Sequence, residues 1–190
     1  GGDEHYNVVS AFIKSIRGSD PQASVYYLAR MIEGGEDVKF IARRLIISAA
    51  EDIGLANPNA LMMANETFSA VERVGWPESR IILSQCVIYL ATSPKSNSAY
   101  KAINNAQEEV RSSGALPVPD ALKNAPTELA KDLGHSKGYL YSHDYPLNFV
   151  EQEFMPVELS SRRFWKPAGN TKEHQLNEIQ KHFWKDKYGA

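Results

Sequence analysis

The sequence predicts an all-α fold, and three observations carry that expectation. Apolar residues recur at helical spacing in one segment after another. Short Gly- and Pro-based breaks separate those segments, and no segment shows the alternation of a strand. At 190 residues the chain suffices for one sizeable domain, or for a compact domain carrying an extension.

The elements follow in order. Val9, Phe12, Ile13 and Ile16 share one helical face, and Gly18 closes that helix. Asp20-Pro21 supplies an N-cap and a proline at the first helical position, and Val25, Leu28, Ala29 and Ile32 line the next face before Gly34-Gly35. A third helix starts near Glu36-Asp37, where acids suit the positive end of the dipole. It carries Val38, Ile41, Ala42, Leu45 and Ala49 as far as Gly54. Asn57-Pro58 opens a fourth, with Leu61, Ala64, Phe68 and Val71, ending at Gly75. The fifth, opened by Pro77-Glu78, is apolar nearly all round, which suits the middle of a bundle or a subunit interface. Ser96 or Asn97 caps a sixth bearing Ala99, Ala102, Ile103, Ala106 and Val110, which ends at Gly114.

The texture changes after Gly114. Leu116-Pro117-Val118-Pro119 is extended, because each proline disfavours helix in the residue before it. A short helix over 127–133 precedes an aromatic stretch, Gly138–Pro146, of little periodicity. A last helix starts near Asn170, which with Glu173 three residues on forms a capping-box pattern; its apolar face is Leu176, Ile179 and Phe183. The expected division is a helical array over 1–114 and a loop-rich, partly helical extension over 115–190. Gly1-Gly2 at the start resembles a linker, and the chain reads as part of a longer polypeptide.

Composition narrows the function classes. Hydrophobic residues make up 43% and charged residues 23%, ordinary for a globular protein, and the net charge of −2 advertises neither nucleic acid nor membrane. The single cysteine, Cys86, makes no intrachain disulfide, and no apolar run approaches the ~20 residues of a membrane span. No Gly-Lys-Ser or Gly-Lys-Thr cradle for phosphates occurs, nor HExxH or CxxC spacing. Catalytic, cofactor-binding and metal residues are therefore all assigned as none. His135, His143 and Asp144 are weighed as metal ligands against the ordinary reading of histidines hydrogen-bonded in an ordered loop. Cys86 is weighed as a nucleophile against a small buried side chain. In both cases the structural reading is preferred.

Candidate contacts remain. Tyr139, Tyr141, Tyr145 and Phe149 suit base stacking, with Lys137 as a phosphate contact and His143 as a further candidate contact; the competing reading has the aromatics anchoring a loop on the helical body. Arg43 and Arg44 share a helix with Lys39, and Lys95 and Lys101 lie further along. Each suits DNA, a subunit contact or a solvated face. Arg162-Arg163 and Lys166 make a second small basic cluster.

Several segments together resemble the C-terminal region of the MgsA/RarA family of AAA+ ATPases, the replication-associated recombination proteins A, whose eukaryotic relatives are the Werner-helicase-interacting proteins. They are the runs Ser10–Pro21 (SAFIKSIRGSDP), Tyr27–Asp37 (YLARMIEGGED), Ile41–Leu45 (IARRL), Glu51–Ala56 (EDIGLA), Ser93–Asn97 (SPKSN) and Ala99–Ala102 (AYKA). Pro117–Pro119, Ala125–Thr127 and His143–Pro146 (HDYP) follow in order. After Pro146 the chain departs from the family's Gly- or Asn-rich continuation with Leu147-Asn148-Phe149.

The resemblance implies a helical bundle like the collar of clamp-loader subunits, assembling as a homo-oligomer, typically a tetramer. It implies ATPase modules N-terminal to this region, using ATP and Mg in the full-length protein and none in this fragment. It implies DNA and single-stranded-DNA-binding protein as partners, no membrane, and a cytoplasmic, nucleoid-associated location. Three function classes follow. The leading one is an oligomerisation module of a DNA-dependent ATPase in replication-fork maintenance and recombination. The second is a DNA- or partner-binding module, and the third is a small enzyme around His143–Asp144.

Overall fold

In the computed structural model, which describes Gly1–Gly189, the described residues form eight α-helices, several short turns of other helical type and no strand. The helices are α1 (Gly2–Arg17), α2 (Pro21–Glu33), α3 (Val38–Ser48), α4 (Asn59–Val74), α5 (Ser79–Thr92), α6 (Ser98–Ser113), α7 (Glu128–Asp132) and α8 (Thr171–Trp184). Internal contacts divide the chain into two units. The first is Gly1–Ala102 with Pro167–His174, and the second is Ile103–Lys166 with the described residues from Gln175 onward. This grouping by contact differs from the change of texture at Gly114, since α6 and α8 each run from one unit into the other.

In the first unit the helix ends are set by local chemistry. The Asp20 carboxylate accepts the Ala23 N–H at 3.0 Å and Asp37 accepts that of Lys39 at 3.1 Å, so α2 and α3 each begin with a satisfied donor. Asp3 and Glu4 open α1 and Lys14 and Arg17 close it, matching the helix dipole at both ends. The helix expected to continue to Gly54 is α-helical only to Ser48. Residues Ala49–Ile53 then widen into a π turn whose last bond runs from the Gly54 N–H to the Ala49 carbonyl. Gly54 sits at φ +48°, and a Cβ there would meet the Ser96 carbonyl oxygen at 3.2 Å, so both conformation and space require glycine.

The core is Phe12, Ile16, Leu28, Met31, Ile41, Leu45, Ile53, Val71, Leu83, Val87 and Leu90, with Ala42, Ala49, Ala60 and Ala64 filling the close approaches. The central position of α5 is apparent, since it packs against α1, α2, α3 and α4. Its apolar character exceeds what the core uses: Ile81 and Ile88 are 57% and 44% exposed.

Three expected faces shift. On α4 the buried residues are Ala60, Ala64, Thr67 and Val71, while Leu61 is exposed and Phe68 half-buried. On α2 Ser24 is buried and Ala29 exposed, because the Ser24 hydroxyl bonds the Asp20 carbonyl at 2.6 Å and the Ser15 hydroxyl at 3.1 Å where α1 and α2 meet. The apolar face of α6 is largely open, with Ile103 56% and Val110 62% exposed and only Ala102 and Ala106 half-buried.

The second unit has a different texture. Thr127 caps α7 through the Ala130 N–H at 3.1 Å, and four single-turn 3-10 segments punctuate the rest. Phe149 stacks on Phe183 (centroids 4.7 Å apart) and meets Trp184 edge-on (5.2 Å), with Phe154 and Tyr188 further round the same indole. An ion pair joins Lys187 to Glu153. Leu147 and Asn148 both adopt positive φ (58° and 56°), so Leu147 occupies backbone space natural to Gly or Asn. Among the described residues of this unit not one is fully buried.

Candidate functional site

The candidate residues of the first unit answer to several different neighbours. Arg43 lies over the Phe68 ring at 5.9 Å, and Lys39 reaches Glu72 at 3.5 Å. Arg44 is half-buried on the same helix, and its Nε is enclosed without a hydrogen-bond acceptor. Lys95 is spent on structure: its ammonium donates to the Ser93 and Ala91 carbonyls at 2.6 and 3.0 Å and to the Ser19 hydroxyl at 3.0 Å. Burial lowers the pKa of Lys95, and the nearby Asp52 carboxylate opposes that shift. Lys101 is exposed on α6.

Beside Lys95 lies a polar cleft of about 500 Å3 that sequence reasoning did not single out. Its floor is Asp52, only 6% exposed, whose Oδ1 takes the Arg17 Nε–H at 2.8 Å and whose backbone carbonyl takes the Ser96 N–H at 2.7 Å. The Asp52 bond raises the Arg17 pKa, against a smaller opposing effect of burial. Glu51 and Tyr100 complete the walls. The only advance signal was the presence of both partners in the runs Ser10–Pro21 and Glu51–Ala56, which says nothing of their pairing.

A second buried polar centre is Glu173, fully enclosed. Asn170 Oδ1 accepts the Glu173 N–H at 2.9 Å and the Asn170 amide donates to the Glu173 carboxylate, so the capping box forms with the side chain of Asn170 as the acid's partner. The same carboxylate accepts the Ser98 hydroxyl at the start of α6. Burial pushes the Glu173 carboxyl pKa up, but the bonds from Ser96, Ser98, Asn170 and the Ala168 backbone outweigh it and leave the pKa lowered. One ionised group thus serves the N-termini of two helices.

Cys86 is buried in α5, and burial pushes its thiol up to about 11, partly offset by a hydrogen bond with Thr67. A thiol so protonated is a poor nucleophile. Among the described residues no three His, Cys, Asp or Glu side chains stand together as a metal-binding group, so His135, His143 and Asp144 do not converge on one ion.

In the second unit the aromatic stretch splits in role. Phe149 anchors on Phe183 and Trp184, whereas Tyr139, Tyr141 and Tyr145 remain 45%, 54% and 36% exposed. The Gln152 amide brackets the backbone of Leu140, donating to its carbonyl at 2.7 Å and accepting its N–H at 3.2 Å. That clamp turns Leu140 inward and the flanking tyrosines outward, as the alternation of an extended chain requires. His143 meets Tyr141 with ring centroids 5.3 Å apart, and Lys137 is exposed beside Gly138.

Comparison with known proteins supplies the family. Residues 18–184 match the family model described as MgsA AAA+ ATPase C terminal. An uncharacterized protein of Thermotoga maritima is 48% identical over 99% of this chain, which spans 31% of that protein. Replication-associated recombination protein A of Bacillus subtilis is 46% identical over 94% of the chain, covering 42% of its own length. ATPase WRNIP1 of Dictyostelium discoideum is 39% identical over 87% of the chain and 19% of its own length. The chain thus spans well under half of these relatives. Among the described residues no helix is long and apolar enough to cross a membrane. With the match covering nearly its whole length, the chain belongs to the MgsA AAA+ ATPase family and corresponds to that family's C-terminal region.

Proposed function

We propose that this chain is the self-association region of a DNA-dependent AAA+ ATPase that acts in replication-fork maintenance and recombination, and that it assembles as a homotetramer through a collar-like helical array. The observation that carries the reading is surplus apolar surface. Ile81 and Ile88 on α5, Leu61 and Met62 on α4, and Ile103 and Val110 on α6 all stay exposed. The second unit has no fully buried side chain among its described residues. A small domain that leaves so much apolar area in water gains by covering it, and obligate interfaces resemble a core cut in half. The mass of the chain in solution tests this: a tetramer is expected, and a strict monomer at micromolar concentration contradicts it.

ATP and Mg enter this proposal only through the rest of the longer protein. The sequence has no Gly-Lys-Ser or Gly-Lys-Thr phosphate cradle, and no residue of this chain is assigned to either. Catalysis is likewise placed outside the chain.

The second reading, a surface for single-stranded DNA or a partner protein, is favoured by one observation. Tyr139, Tyr141 and Tyr145 are exposed although their loop is already anchored by Phe149. Anisotropy of a labelled single-stranded oligonucleotide tests it: Tyr141→Ala is expected to weaken binding by roughly 1–3 kcal/mol. Binding unchanged by that substitution contradicts it.

A further inference from the structure

One face of α6 presents Asn105, Glu108, Glu109 and Ser112 at i, i+3, i+4, i+7 spacing, and this face forms one wall of a cleft of about 480 Å3 inside the second unit. The other wall is Arg162, Arg163, Phe164 and Lys166. Charges in the cleft do not cancel. Glu109 takes Arg162 at 3.1 Å, and that guanidinium also lies over the Phe164 ring at 5.9 Å, so this pair is internally satisfied. Arg163 and Lys166 form no ion pair with any described residue, and Glu108 alone opposes them. The Nε of Arg163 is enclosed without an acceptor. A permanent cation with an enclosed, unused N–H carries an unmet demand for an oxygen acceptor.

We propose that this cleft binds a phosphate group. Arg163 supplies the planar fork that matches two oxygens of a tetrahedral oxyanion, and Lys166 supplies a point charge. Asn105 and Ser112, one turn either side of the glutamates, supply neutral donors. Glu108 weakens the site without closing it. The volume exceeds that of a single phosphate many times over, at about 30 Å3 per water, so the group fits as a free ion or as part of a chain. The shared chemistry is the phosphate oxygens, whether from inorganic phosphate or from a phosphodiester backbone. This site is independent of self-assembly, since its walls come from one chain.

The test uses the whole chain with two probes at constant ionic strength: line broadening of inorganic phosphate in 31P spectra, and anisotropy of a labelled dT oligonucleotide. Saturable binding of at least one probe is expected. Lys166→Gln should weaken it and Glu108→Gln strengthen it, each by about two- to fivefold, with Arg163→Gln abolishing most of it. Binding of phosphate itself assigns a phosphate-group site; binding of the oligonucleotide alone assigns a phosphodiester site. Absence of both, or affinities identical in Lys166→Gln and Glu108→Gln, overturns the proposal. Both of those residues are exposed, so the variants keep the fold and the result is readable.

Discussion

At the scale of single residues, the most consequential side chain is an acid. Glu173 is fully buried yet ionised, because hydroxyl, amide and backbone donors surround it more completely than water would. Glu173→Ala leaves Ser98 and Asn170 without their acceptor and is expected to cost about 2–4 kcal/mol in chemical denaturation. Glu173→Gln, which keeps the volume, should cost less. The sign of the pH dependence follows from the lowered pKa. The stabilisation is fully present above the unfolded carboxyl value of about 4.3 and disappears as pH falls through the lower native value. Glu173→Gln should therefore flatten the acid limb of the stability profile. Cys86 makes the opposite case, a thiol pushed up to about 11 by burial. It should resist a thiol reagent at pH 8 in the native state and react fully on unfolding. Fast native-state labelling would contradict the close packing of α5 around this thiol.

At the scale of elements, helix starts were legible and helix faces less so. Asp20-Pro21, Asp37 and the Asn170–Glu173 pair each act as the sequence led us to expect, because capping chemistry is local. On α4 the expected Ala64 and Val71 are buried, while Leu61 and Phe68 yield to their neighbours Ala60 and Thr67. A search for large apolar side chains picks Leu61 and Phe68, but a helix lying close to α3 and α5 buries the small ones, Ala60, Ala64 and Thr67. Ala64→Leu should accordingly destabilise the fold by about 1–3 kcal/mol in thermal or chemical melts, although it raises hydrophobicity. A neutral effect would mean that the α3–α4–α5 contact is loose. The π turn at Ala49–Ile53 had no signature, since nothing in its composition distinguishes it from continued α-helix. Of the candidate contacts, Lys95 donates its ammonium to Ser19, Ala91 and Ser93 at the edge of a polar cleft. The Arg17–Asp52 pair and the Ser98–Glu173 bond went unseen because their partners are 35 and 75 residues apart.

At the scale of the whole molecule, burial is unevenly distributed. Among the described residues, every fully buried side chain belongs to the first unit, where α5 touches four other helices. The second unit holds its loop by an aromatic cluster and scattered polar bonds, and it exposes Val110, Leu129, Leu133, Leu147 and Val157. The sequence predicts an apolar surplus in the fifth helix and the aromatic loop, where Ile81, Ile88, Tyr139 and Tyr141 are exposed, and the structure adds Ile103 and Val110 on α6. Self-association is the simplest physical use of that surface in a chain that belongs to the C-terminal region of an AAA+ family. Light scattering on the eluting peak of a sizing column, over a dilution series through the micromolar range, measures it directly. The account predicts a mass near four times the 21.2 kDa of one chain. A single species at 21.2 kDa throughout the series would contradict it.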